Sequence, residues 1–237
     1  MLIENEIKYL KSLIVDIENK FQKLSIPYAP GKVIMGVIGT SDVSDYYSSK
    51  TVVDTVLSLD KKIKLSLDKA IEYAYSEVVL NNFNPILEGG EEEFLAYYYI
   101  ENAIYRTSTI WDCIAQLYNI YHNLGKDQNR IHYHGLFKEL SSKPETERID
   151  GVEKIFNYLD EVDDTTLVGR WNGNHGYIKQ YRNKMIHRNA PDGLSMSNFD
   201  MNMKSPPVYI LKRLIEDYFQ SMLFFEKIAL AALNRDN

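Results

Sequence analysis

Apolar residues recur every three or four positions at the end of the chain, at Val208, Leu211, Ile215, Tyr218, Met222, Phe225, Ala229 and Ala232, without a slip. That spacing places one apolar stripe along a single long helix, and a stripe of such length must be covered by other helices. Ser205 is placed to cap this helix, and Pro206 suits its first turn.

The upstream stripes supply the cover. Ile3, Ile7, Leu10, Ile14, Ile17, Phe21 and Leu24 form a first stripe, which Pro27, Pro30 and Gly31 stop. Residues 32–60 are the least legible: KVIMGVIG reads as a short strand or a buried extended piece, and TVVDTVLSL as strand or helix. A helix is expected over about 61–80, with Ile63, Leu67, Ala70, Ala74 and Val78 on one side, followed by a loop through NNFNP and EGG. Glu91, Glu92 and Glu93 complement the N-terminal dipole of a long helix and read as its solvated start. Its seam is Ile100, Ile104, Thr107, Trp111, Ile114, Tyr118 and Tyr121, and Gly125 offers a left-handed stop. Shorter helices are expected around 128–140 and 145–161. The fold class is therefore all-α, an up-and-down helical bundle over 91–237 with an N-terminal helical extension over 1–90 packed on it as one compact unit. The stripes themselves are core and carry no chemistry.

Composition removes several functions. At 237 residues with 45% apolar content the chain can bury a core, and wholesale disorder is excluded. A formal net charge of −6 argues against a broad duplex-binding surface. Cys113, the single cysteine, cannot build a disulfide framework and reads as a buried, inert thiol in a reducing compartment. The first residues are acidic where a signal peptide is basic, and no apolar run approaches the roughly 20 residues of a membrane span, so a cytoplasmic protein without a membrane partner is expected. His132 and His134 would point about 160° apart on a helix, and no Cys pair or Glu follows at zinc spacing, so neither a metal nor another cofactor is expected. Gly36 and Gly39 lack the Lys-Ser/Thr of a phosphate loop. Arg106 and Asp112 on the long helix could line the pocket as interior polar residues, but read more readily as ordinary helix-face charges.

Between residues 165 and 191 there is no Asp or Glu, whereas Arg170, Lys179, Arg182, Lys184 and Arg188 fall there with His175 and His187. The segment just before it holds Glu153, Asp160, Glu161, Asp163 and Asp164. So abrupt a change of sign in an acidic chain marks a local site for an anion. A helix is expected from near Gly176, with Ile178, Tyr181, Met185 and Ile186 toward the core, ending by Arg188 or Asn189 because Pro191 disfavours a helical Ala190. Asn183 and His187, four apart, share a face. Arg182 and His187, five apart, diverge by about 140°, so the long Arg stem, a frayed end or a second copy of the helix must bring them together. An Arg and a His at a helix C-terminus also serve simply to complement the dipole.

Arg182, Asn183 and His187, with apolar Ile178, Met185 and Ile186 around them and a long helix following, resemble the R-x4-6-H motif of the HEPN superfamily. The resemblance covers about 91–237. It implies a helical bundle that dimerises to bring two motifs together, and metal-independent endoribonuclease activity of the toxin or defence type, with an antitoxin protein as a possible partner. In that chemistry the ribose 2′-OH attacks the adjacent phosphate, with His187 as general acid or base, Arg182 on a non-bridging phosphate oxygen and Asn183 orienting the imidazole or the phosphate. Tyr181, Lys184 and Arg188 would steady the RNA backbone. The alternative that the same resemblance carries is a non-catalytic HEPN module binding a nucleotide, RNA or protein partner.

Overall fold

The computed structural model describes residues 2–14, 21, 41–128, 130–147, 149–163, 171–186, 195–197 and 200–233. Among them are eight α-helices: α1 (Leu2–Leu13), α2 (Ser41–Ala74), α3 (Glu77–Asn82), α4 (Glu91–Tyr121), α5 (Tyr133–Ser141), α6 (Val152–Leu159), α7 (Asn174–Ile186) and α8 (Pro207–Leu233). The all-α expectation holds. The reading of 33–40 as a strand or extended piece lies outside the described residues.

Three long helices build the core. α2 lies along α4, and α8 packs on both. The seam expected on α4 is buried from Ile100 to Tyr118, and the one expected on α8 is buried from Leu211 to Ala232. The ambiguous 51–59 segment is helical inside α2, which runs for 34 residues. Val52, Val53 and Val56 continue into Ile63, Leu67, Ala70 and Ala74 with a three-to-four spacing and are all buried. The strand preference of its β-branched residues yields to the burial that α4 and α8 provide. Leu10 of α1 and Phe21 join the same apolar cluster, Phe21 with its ring 5.5 Å from that of Phe225. The buried residues of α2 thus share one core with those of 91–237.

Several boundaries differ from the expected ones. The helix anticipated over 61–80 breaks at Tyr75, where Ser76 caps α3 by accepting from the Val79 N–H at 3.2 Å. The register changes there, so Val79 is buried and Val78 is 51% exposed. α4 ends at Tyr121, and left-handed Asn123 and Gly125 (φ 49° and 67°) turn the chain back. Asn119 fixes this turn, its side chain accepting from the Lys126 N–H and donating to the Lys126 carbonyl, both at 3.0 Å. The helix anticipated over 128–140 starts only at Tyr133, because His132 is extended. The one anticipated over 145–161 is a 3-10 turn, Glu145–Glu147, then α6. α8 begins one residue later than anticipated: the Pro206 carbonyl accepts from Ile210 N–H, and that of Ser205 accepts from the Tyr97 hydroxyl.

Two short antiparallel ladders were not anticipated, β1 (Val162–Asp163) with β2 (Trp171–Asn172) and β3 (Ser195–Ser197) with β4 (Asp200–Asn202). The first delivers the chain into α7, with Gly173 N–H donating to the Glu161 carbonyl at 2.8 Å. Glu93 also departs from the solvated helix start assigned to Glu91–Glu93. It is 6% exposed and ion-paired with Lys204, itself 4% exposed.

Candidate functional site

α7 carries the Arg-Asn pair and is anchored along its length. At its N-terminus the Arg213 guanidinium of α8 lies between the Tyr177 and Tyr209 rings, 5.2 and 5.0 Å from their centroids, and is ion-paired with Asp163. The Asn174 side chain donates to Glu216 at 2.8 Å. Further along, Ile178 and Tyr181 are buried and Met185 packs against the core. Ile186, expected on the core side, is 49% exposed.

A buried polar cluster joins α7 to four other helices. Asp217 of α8, 1% exposed, accepts from the Trp111 indole N–H at 3.3 Å and the Tyr158 hydroxyl at 3.1 Å. Its carboxylate is 3.2 Å from Nδ1 of His175, whose Nε2 lies 3.0 Å from the Tyr133 hydroxyl. With Nδ1–H donating to Asp217, Nε2 is left to accept the Tyr133 proton. Each polar atom of the cluster therefore has a use in the interior. Burial drives the Tyr133 hydroxyl well above the ordinary phenol range, Asp217 and Asp112 adding to that rise and Arg182 opposing it.

Arg182 follows His175 by seven residues, two helical turns, so the two side chains leave α7 on nearly the same face. Arg182 is near enough to Asp112 of α4 for its charge to favour the Asp112 carboxylate. The Asp112 carboxyl is raised by burial, while the charges of His132 and Arg182 and a bond from the Tyr133 backbone N–H pull the other way. Arg182 is half-buried, and its Nε is sequestered from solvent with no hydrogen-bond partner among the described residues. Asp112 is thus a half-buried carboxyl within reach of the positive charge of Arg182 on α7 and of His132 before α5. Asn183 and Lys184 are exposed, whereas the Tyr181 ring faces the core. His187 and Arg188 lie outside the described residues.

Asp112 and Tyr133 lie within electrostatic reach of Arg182, and of the two only Asp112 is a candidate pocket residue from sequence. Asp112, which reads more readily as a helix-face charge than as a pocket-lining residue, is half-buried within reach of the Arg182 and His132 charges. Asp217 and Ser221 fall at core phase between Leu214 and Phe225, and a carboxylate within an apolar stripe is a signal the pattern does carry. Arg106, by contrast, is occupied with Asn102 of its own helix, as a helix-face charge would be. Cys113 is buried as expected. His134 points elsewhere, toward Phe156, its imidazole pushed to lower pKa by burial and then by Lys179. Among the described residues no helix is long and apolar enough to cross a membrane.

No curated protein and no solved structure matches the chain. The Cthe2314-like HEPN family model matches residues 48–235, most of the chain, including most of α2 as well as the Arg182 helix. A three-helix core bearing an Arg-containing α7 is what that match spans, and the chain belongs to the Cthe2314-like HEPN family.

Proposed function

We propose that the protein is a metal-independent endoribonuclease whose site is formed by Arg182, Asn183 and His187. The observation that carries this reading is Arg182: a guanidinium in a half-buried position, its Nε without a partner among the described residues, on a helix held rigidly from beneath. An unsatisfied buried N–H is costly, and a phosphate oxygen satisfies it with a charge-assisted bond. Cleavage then needs no metal. The 2′-OH attacks phosphorus, the bond to the 5′-oxygen breaks, and the products are a 2′,3′-cyclic phosphate and a 5′-OH. Arg182 offsets charge growing on the non-bridging oxygens, Asn183 orients the reacting groups, and His187 moves the proton of the 2′-OH. Lys184, exposed beside the motif, and Arg188 contact the flanking backbone, while Tyr181 supports the motif from the core side. Two copies related by a two-fold axis would set two such motifs side by side.

Incubation of the purified chain with single-stranded RNA in EDTA tests the reading. Wild type cleaves, and Arg182→Ala and His187→Ala each lose the activity while remaining folded. Cleavage that persists in both variants overturns it. Binding of nucleotide or RNA with no cleavage by wild type supports a non-catalytic HEPN module in its place.

A further inference from the structure

Apolar side chains gain free energy by leaving water, so a rigid backbone that keeps several of them exposed in one place marks a surface that a partner covers. The start of α4 carries such a surface. Phe94, Leu87, Ile86 and Met203 are each about half exposed or more. We propose that this patch, edged by Glu88, Glu91 and Glu92, is a docking surface for a basic amphipathic helix of another protein.

Contacts beneath the patch bring the four side chains together. The Lys204 N–H donates to the Pro85 carbonyl at 3.2 Å, which sets Met203 beside the turn that carries Ile86 and Leu87. Asn84 fixes that turn, its side-chain oxygen accepting from the Ile86 and Leu87 N–H groups at 2.9 and 3.0 Å. The buried Lys204–Glu93 ion pair ties the chain leaving β4 to the first turn of α4, where Phe94 follows Glu93. Gly89 lies so close to the Glu93 carboxylate that a side chain there would collide with it. Tyr98, one turn beyond Phe94 and exposed, extends the patch along α4. The backbone under the patch is thus held before any partner arrives, which lowers the ordering cost of binding.

Charge selects the occupant. Glu88 and Glu91 are exposed and form no ion pair among the described residues, and one carboxylate oxygen of Glu92 has no hydrogen-bond donor among them. The cation nearest in the fold, Lys204, is spent on Glu93. An isologous contact centred on the patch would set these three carboxylates against their own equivalents. RNA or an anionic lipid surface meets the same repulsion. A helix whose apolar stripe is flanked by Lys and Arg answers both features. Its apolar side chains cover the patch, and its cations meet the acidic edge.

The patch is separate from the Arg182 site. Asp112, within reach of the Arg182 charge, lies about 27 Å along the same helix from Phe94, at roughly 1.5 Å per residue. A helix seated at the start of α4 need not touch Arg182, so docking there is independent of RNA cleavage.

The test uses the full chain and a fluorescent helical peptide of Leu and Lys, with every Leu on one face, read by anisotropy. Wild type binds this peptide and does not bind the counterpart with Glu in place of Lys. Leu87→Ala with Phe94→Ala, both at exposed positions outside the core, weakens binding by about tenfold or more. Glu88→Gln with Glu91→Gln also weakens it and flattens its dependence on salt. Leu65→Ala, at an equally exposed apolar position on α2, leaves binding unchanged. Equal affinity in all variants, or no binding by wild type, overturns the proposal. So does a dimer, read by sedimentation, that Leu87→Ala with Phe94→Ala turns into monomer, since a second copy then covers the patch.

Discussion

The carboxylate of Asp217 lies 3.2 Å from Nδ1 of His175, and around this buried pair α4, α5 and α6 converge through Trp111, Tyr133 and Tyr158. One side chain on α8 thereby sets the seat of the helix that carries Arg182. Removing a single buried partner leaves the others unsatisfied, at about 1–3 kcal/mol each. Asp217→Ala strands an indole N–H, a phenol and an imidazole at once, so a loss of about 3–5 kcal/mol is expected. Urea unfolding measures it as a lower midpoint at unchanged slope. Tyr158→Phe, which removes one donor and keeps the ring, costs about 1 kcal/mol.

The Lys204–Glu93 pair makes a second stability prediction. Both groups are almost fully buried, and Lys204 also lies 5.5 Å from the Phe83 ring centroid. Breaking such a pair from one side costs about 3–5 kcal/mol, because the remaining charge stays buried. Lys204→Met therefore destabilises strongly, and Lys204→Met with Glu93→Leu regains most of the loss. A double variant no more stable than the single one would contradict this.

Burial raises the Asp112 carboxyl above its ordinary range, against the pull of His132, Arg182 and the Tyr133 N–H. A folded value above the unfolded one means that the native state binds the proton more tightly. Stability attributable to Asp112 is then highest below the unfolded value, falls as pH rises toward the folded one, and stays reduced at neutral pH. Asp112→Asn is expected to raise the thermal midpoint at pH 7, with the gain shrinking below pH of about 4.

Cys113 is expected to be inert. Burial, with Asp112 adding to it, pushes its thiol up to about 11, so almost none is thiolate at pH 8. Its alkylation by iodoacetamide at that pH follows global unfolding, and urea accelerates it to the rate of an exposed thiol. Rapid labelling of the folded protein would contradict the burial of α4.

How far these features were legible from sequence depends on the kind of constraint. The stripes of α4 and α8 were readable because a helix of 31 or 27 residues repeats one periodic demand many times. Residues 51–59 were ambiguous because Val52, Val53 and Val56 suit a strand as well as a helix, and the choice rests with α4 and α8, which are distant in sequence. The site divides similarly. Arg182 stood out as part of a local run of basic residues. His175 meets Asp217 only once α7 packs on α8, and Asp112 comes within reach of the Arg182 charge only once α4 and α7 are neighbours, so neither pairing shows in a local pattern. Glu93 was misread for the same reason: its partner Lys204 lies 111 residues away.

The end groups left on cut RNA test the central claim most directly. In EDTA the protein is predicted to leave a 2′,3′-cyclic phosphate on one fragment and a 5′-OH on the other, read by mass spectrometry, and a single 2′-deoxy substitution at the cut site is predicted to stop the reaction. A 3′-OH with a 5′-phosphate, a requirement for added divalent metal, or equal cutting of DNA would contradict the account.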